Sequence, residues 1–306
     1  MDHGLPDDHI VRAALELAIR APSAQNTQPW RWRIGDRSVH LYLDPARALP
    51  STDPDQRDLV VSCGAALHHL RVAFAALGWS AVVHRLPNPA QPNHLASIEL
   101  VRHRPTAHEI ELSAAIGRRR TDRRHFSSWP VPPGYLGLVT ERAATLGAIV
   151  RQVTDRSRDC LVEAMRAAAE RHAGDPGYSL ELAEWSGRHD GVQWSDEAHE
   201  PDCAELLVLS TSADDRLSRL CAGEALSAVL LTATNIGLAT CLLTEPLEIP
   251  AMRHRVRVGV LDDYGYPQAV IRIGWAPTGA ETLPVTPRRP VEDVLDPFDA
   301  TEVASC

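Results

Sequence analysis

The sequence predicts an α+β chain made of two half-folds packed on one another as an internal pseudo-dimer. Three observations carry this. Helical and strand-like hydrophobic periods alternate along the 306 residues, the pattern of a mixed-layer protein. The run Cys63-Gly64-Ala65-Ala66-Leu67 closing at Gly78 returns as Ala222-Gly223-Glu224-Ala225-Leu226 closing at Gly237, both glycine pairs being 159 residues apart. A strand follows each copy, ASIELV from Ala96 and AVIRIG from Ala269. Buried helices also converge on glycine, alanine and leucine by packing alone; the shared spacing favours duplication.

The elements follow in order. Residues 8–20 form an amphipathic helix, with Ile10, Ala14 and Leu17 on one stripe and Val11, Leu15 and Ala18 beside it. Pro22 stops it, because the residue before proline is pushed out of helical geometry. Trp30, Trp32 and Ile34, a turn at Gly35-Asp36, then Val39, Leu41 and Leu43 read as a hairpin. Asp53-Pro54 has the form of a helix cap followed by proline at the first helical position. The helix it opens is apolar nearly all round, hence buried, and runs to about Leu77 with Gly78 as its left-handed cap. A strand near Ser97–Val101 ends the first half.

The second half reads as helices at Glu109–Gly117 and Pro133–Thr145, a strand at Ala148–Val153 and a helix at Arg156–His172. A strand at Leu206–Ser210, an apolar helix at Leu217–Ile236 and a strand at Ala269–Ile273 complete it. Residues 173–203 hold four glycines, two prolines and many charges, the composition of a lid or binding loop. The halves are therefore 1–108 and 109–306, the second with a lid-like loop at 173–203.

Composition removes whole classes of chemistry. All 31 basic residues are arginine, and a chain without lysine has no Walker A loop, pyridoxal Schiff base or Ser-x-x-Lys nucleophile. A net charge of −9 gives no electrostatic footprint for nucleic acid or an anionic membrane. Six scattered cysteines and fourteen histidines show neither C-x-x-C nor H-E-x-x-H, so no metal site is expected. His68-His69 are neighbours that a helix points in different directions. No stretch is expected to reach transmembrane length and the N-terminus has no signal-like apolar run, so the expected setting is a reducing cytoplasm.

Two constellations carry chemistry. Pro22-Ser23-Ala24-Gln25-Asn26-Thr27-Gln28-Pro29-Trp30 joins a helix end to a strand start and gathers hydroxyl, carboxamide and backbone donors. Serine and asparagine are also ordinary turn residues, so a satisfied loop is the plain alternative. Arg118-Arg119-Arg120-Thr121-Asp122-Arg123-Arg124 follows an apolar helix. Arginine forks give phosphate bidentate, charge-assisted hydrogen bonds; the alternative is a solvated surface complementing the helix's negative end. In an acidic protein the cluster favours anion binding. Arg288-Arg289 adds a third basic point near the C-terminus.

These motifs resemble the flavin-dependent nitroreductase family. PSAQNTQPW is similar to its Pro-Ser-x-x-Asn-x-Gln-Pro-Trp signature, RRTDR to its Arg-Arg-Ser-x-Arg phosphate grip, and TPRRP to its C-terminal basic site. In that family the grip precedes the turn within one subunit. Here the turn comes first and the grip near residue 120, which resembles the fused, degenerate halves of the actinobacterial Acg-type subfamily. The resemblance implies a nitroreductase-like α+β fold and one FMN per chain. It implies Arg119, Thr121 and Arg123 on the phosphate and ribityl chain, joined by Arg288 and Arg289. Pro22, Ser23, Ala24 and Asn26 would line the flavin from the opposite half, with Leu242, Leu243 and Thr244 near its N5 atom. Trp185, His189 and Trp194 could stack over the ring. His125 stands where the family has an aromatic, and the Pro-x-Glu-Gly segment is missing. The implied activity is an FMN-dependent NAD(P)H oxidoreductase reducing a nitro, quinone or similar acceptor, in a chain that works as a monomer. The alternative is a protein that holds or sequesters FMN under its lid. No side chain is expected to act as a catalytic acid or base.

Overall fold

The computed structural model describes residues 4–186 and 203–296. In chain order it contains α1 (Asp8–Ala18), β1 (Trp30–Ile34), β2 (Ser38–Leu43), α2 (Arg57–Ala76), β3 (Trp79–Arg85), β4 (His94–Arg102) and α3 (Ala107–Arg118). Then come α4 (Pro133–Ala144), β5 (Ile149–Gln152), α5 (Asp155–Ala173), α6 (Pro176–Ser186), β6 (Glu205–Thr211) and α7 (Arg216–Asn235). The chain continues through β7 (Ala239–Leu243), α8 (Glu245–Glu248), α9 (Pro250–Leu261), β8 (Tyr266–Gly274), α10 (Val291–Val294) and β9 (Leu295–Asp296).

The strands form two sheets of one plan. The first runs β3-β4-β2-β1-β9 and the second β7-β8-β6-β5, antiparallel except for the parallel β1–β9 pair. Matching β1–β4 to β5–β8 in chain order gives the same spatial sequence, with α2 and α7 each entering between the second and third strand. β9 breaks the match: the C-terminal segment crosses to the N-terminal sheet and extends its edge.

Between the sheets α2 packs on α7, and both helices are 20 residues long. Each ends on a glycine whose positive φ, 90° at Gly78 and 87° at Gly237, a side chain would resist. They cross at Gly64 and Gly223. A Cβ on Gly64 would strike the Leu220 carbonyl and lie 2.9 Å from the Gly223 Cα; one on Gly223 would strike the Val61 carbonyl. Leu220 accordingly packs in the core of the first sheet and Val61 in that of the second. Val61 and Leu220 are themselves 159 residues apart in the sequence.

Polar groups fasten the same crossing. Glu224 of α7 is fully buried and accepts from Arg71 of α2 and Arg85 of β3, each at 2.6 Å. The His68 and His69 Nδ1 atoms lie 2.8 and 2.9 Å from one hydroxyl, that of Ser227. The two rings therefore do not diverge: both reach the facing helix. Burial pulls the pKa of His68 down to about 3 and that of His69 well below the usual range, so both stay neutral.

Several sequence expectations change. Asp53 does cap α2, accepting from the amides of Arg57 at 2.7 Å and Leu59 at 3.0 Å. Pro54, however, precedes the helix, because Gln56 takes a left-handed turn first. Helix α2 is long and apolar enough to cross a membrane, against expectation, but most of it is buried in the protein between α1 and α7. Residues 176–186 are helical rather than looped, since Asp175 Oδ1 accepts from the amides of Gly177 (2.8 Å) and Tyr178 (3.2 Å) and caps α6. The remainder of that segment, with His189 and Trp194, lies outside the described residues. Strands β3 and β7 and helix α9 had no expectation attached to them.

Gly64→Ala and Gly223→Ala should each force the α2–α7 crossing apart and cost about 1–3 kcal/mol or more, read as a lower urea midpoint. Glu224→Ala strands two arginines and should cost about 3–5 kcal/mol by the same measurement. Wild-type midpoints in the glycine variants would show that the helices do not need their close approach.

Candidate functional site

The Pro22–Trp30 segment is held in a strained shape. Ala24–Asn26 is a single tight turn, and Gln25, Asn26 and Gln28 have φ of 44°, 53° and 51°. Left-handed backbone at three non-glycine residues persists only where surrounding contacts over-determine it, commonly at functional sites. Ser23 Oγ accepts from the Gln28 amide at 3.0 Å and Ser62 Oγ of α2 accepts from the Ala24 amide at 3.2 Å. Pro22 is buried behind them. Asn26 Nδ2 donates to the Pro287 carbonyl at 3.2 Å, and Gln28 Oε1 accepts from the Arg289 amide at 2.8 Å. The turn is thus tied to the C-terminal strap that leads into β9.

The basic run meets the same strap at a cavity that both line. Arg119 caps the end of α3 and is 6% exposed; its Nε has no partner, and no carboxylate pairs with it among the described residues. It lines a cavity of about 430 Å³, together with Arg288 and Arg289 of the strap. Burial, then the nearby Arg288 and Arg120, pulls the Arg119 pKa down to about 9. Burial, followed by Arg20 and Arg120, brings Arg288 to about 10. These are cations held without counter-charge, which favours an anion in the space they face. Arg288 is fixed by donating to the Arg20 and Ala21 carbonyls, and Arg289 by the Asp293 carbonyl at 2.6 Å.

Thr121 and Arg123 take a different course. Thr121 bridges Thr240, the Asp122 amide donates to the Thr240 carbonyl at 2.9 Å, and exposed Arg123 lies by Cys241. This segment runs along β7, whose last residues are Leu242 and Leu243; Thr244 caps α8. The named residues therefore form two groups, one around the cavity and one along β7. Arg120, part of the basic run, also lines the cavity, as do Arg12 and Arg20, which were not picked out from the sequence. A signal existed: Arg12 and Glu16 share one stripe of α1, and Arg20 follows four residues on, just past the helix end.

Helix α6 lies against the Ala24–Asn26 turn. Its Glu181 carboxylate accepts from the Ser51 and Thr52 amides at 2.7 and 2.9 Å, and Arg47 sits 5.0 Å over the Trp185 ring. Next to it, His172 stacks on Tyr178 at 3.9 Å and approaches Glu245 and Glu248 at 3.5 and 3.6 Å. Burial, followed by repulsion from Asp58, raises the Glu248 pKa from 4.5 to about 8. Asp53 is raised for the same reasons.

Two similar sheets around one helix pair, with an anion cavity walled from both ends of the chain, define a protein of nitroreductase class. Comparison supplies the family. Two Mycobacterium tuberculosis (strain H37Rv) proteins, named "Putative NAD(P)H nitroreductase Rv3131" and "Putative NAD(P)H nitroreductase acg", are 45% and 38% identical over 326 and 318 residues. The alignments cover 97% and 94% of this chain and 94% and 95% of those relatives. The chain belongs to this nitroreductase family. No protein-family model matches the chain. Among solved structures, the FMN and NADPH-dependent nitroreductase NfnB of a Sphingopyxis strain aligns with a TM-score of 0.45 and 21% identity, over 61% of this chain and 99% of that one.

The raised Glu248 sets a pH dependence. The folded chain keeps that proton up to about pH 8, whereas the unfolded chain loses it near 4.5. Between those values the folded state binds more protons, so this group's contribution to stability falls as pH rises. The unfolding free energy from urea titrations should drop from pH 5 to pH 8 in the wild type and drop less in Glu248→Gln, by a difference on the order of a few kcal/mol. Parallel profiles would contradict the burial of that carboxyl.

Proposed function

We propose that this protein is an FMN-dependent NAD(P)H oxidoreductase with one flavin site per chain, assembled from both halves, 1–108 and 109–306. The carrying observation is Arg119: a buried guanidinium with no acid partner among the described residues, facing a cavity that Arg288 and Arg289 complete. That is the donor set a phosphate monoester needs. When bound, FMN supplies the two-electron chemistry between nicotinamide and a nitro, quinone or similar acceptor.

The chain's own residues bind, orient and shield. Arg119, Arg288 and Arg289 grip the phosphate, and Thr121 and Arg123 follow the ribityl chain toward β7. Leu242, Leu243 and Thr244 meet the ring on one side, and Pro22, Ser23, Ala24 and Asn26 meet it from the other half. The strained turn keeps its donors in place because Ser23 and Ser62 hold it from both sides. No acid or base is assigned. The fused halves take the place of a two-subunit site, so the working unit is a monomer, in the cytoplasm and without nucleic acid or membrane as partner.

One observation favours the sequestering alternative: α6 lies against the Ala24–Asn26 turn and is fastened to the 47–52 segment by Glu181 and Trp185. A tightly seated lid keeps nicotinamide and acceptor out while retaining the flavin.

Arg119→Ala should weaken FMN by roughly ten- to a hundredfold, since a charge-assisted bond contributes about 1.5–3 kcal/mol. Full FMN retention in a titration would remove the grip. Stopped-flow bleaching of bound flavin separates the two functions: fast reduction by NADH or NADPH supports the enzyme, and reduction by dithionite alone supports sequestration. Glu181→Ala, which frees α6 from the 51–52 turn, should speed nicotinamide reduction if the lid gates it; an unchanged rate would count against gating.

A further inference from the structure

The arginine cavity holds more positive charge than one phosphate can balance. Six arginines line it (Arg12, Arg20, Arg119, Arg120, Arg288 and Arg289) against two acids, Glu16 and Glu292. Both acids are engaged by Arg12, Glu16 at 3.5 Å and Glu292 in direct contact. Arg289 has partial compensation from Asp44 at 3.6 Å. Arg20, Arg119 and Arg120 have no acid partner among the described residues.

These cations also press on one another. Arg20 opposes the charge of both Arg120 and Arg288, and Arg288 opposes that of Arg119. Backbone bonds hold two of them in place: Arg120 donates to the Gly117 and Arg119 carbonyls, and Arg288 to the carbonyls of Arg20 and Ala21. A cluster built this rigidly against its own repulsion is preorganised for anions. A phosphate monoester carries about −2, so one leaves roughly half of the surplus charge unmatched. The volume of about 430 Å³ lies within the small-molecule range of roughly 300–1,000 Å³, more than one phosphate group fills.

We propose that this cavity binds two phosphate groups side by side, the first on Arg119, Arg288 and Arg289 and the second on Arg20 and Arg120. The proposal rests on the flavin reading for the identity of the first phosphate only. The shared chemistry is a diphosphate-like pair of anions. Its two sources are the diphosphate of a flavin dinucleotide, or the phosphate of FMN beside that of a separate phosphorylated ligand.

The test titrates the full chain, purified in phosphate-free buffer, with inorganic phosphate, pyrophosphate, FMN and FAD in a calorimeter at fixed ionic strength. Pyrophosphate should bind at least tenfold more tightly than phosphate. Arg20→Ala should lower pyrophosphate affinity about tenfold and FMN affinity less than threefold, and Arg20→Lys should recover part of the loss. FAD binding that shares the Arg20 dependence identifies one dinucleotide as the source. FAD rejection, with phosphate still binding the FMN-loaded chain through Arg20, identifies two ligands. Pyrophosphate no tighter than phosphate, or equal losses for FMN and pyrophosphate in Arg20→Ala, would overturn the second subsite while leaving the flavin reading intact. Pyrophosphate binding through Arg20 with no FMN binding would overturn the flavin reading and keep the paired-anion site.

Discussion

Everything in this fold depends on two helix backbones meeting where neither has a side chain. Gly64 and Gly223 let α2 and α7 approach until each carbonyl occupies the space of the other's absent Cβ. At that distance a leucine from one helix enters the other half's core and a valine makes the reverse exchange. The same closeness brings Glu224 within reach of Arg71 and Arg85, and Ser227 within reach of two histidines. A side chain at either glycine would strike the facing backbone and push the helices apart at their crossing.

The strap through Pro287 and Arg289 bonds to Asn26 and Gln28 and lines the cavity together with Arg119 at the end of α3. The strap ends as β9 on the N-terminal sheet, so the last described residues of the chain close a space begun by the first helix. Six arginines and two glutamates make up the charged part of its lining. Arginines buried without acids weaken the ligand-free state, and an anion that fills the space recovers what their burial costs.

Around α6 the charge is reversed. Asp53, Asp58, Glu245 and Glu248 gather near His172 and Tyr178, close to the residues that end β7. Burial raises the Glu248 pKa to about 8. None of these four acids lines the arginine cavity.

The sequence by itself determined the local features. Hydrophobic period set α1, the first hairpin, both long helices and most strands, because period depends on which face of an element is buried. The 159-residue spacing marked Gly64 and Gly223 before their contact was visible, and the arginine run and the Pro-Ser turn were legible as clusters of donors. Helix α6 was not legible: its apolar residues follow no single face and its cap, Asp175, sits among glycines and prolines. Only the tertiary structure decided that Arg119 faces a cavity while Thr121 and Arg123 run along β7, and that Arg12 and Arg20 belong with residues far along the chain. The physical reason is that a hydrophobic pattern states which side chains leave water. The charge a buried group meets depends instead on which distant segments packing brings to it.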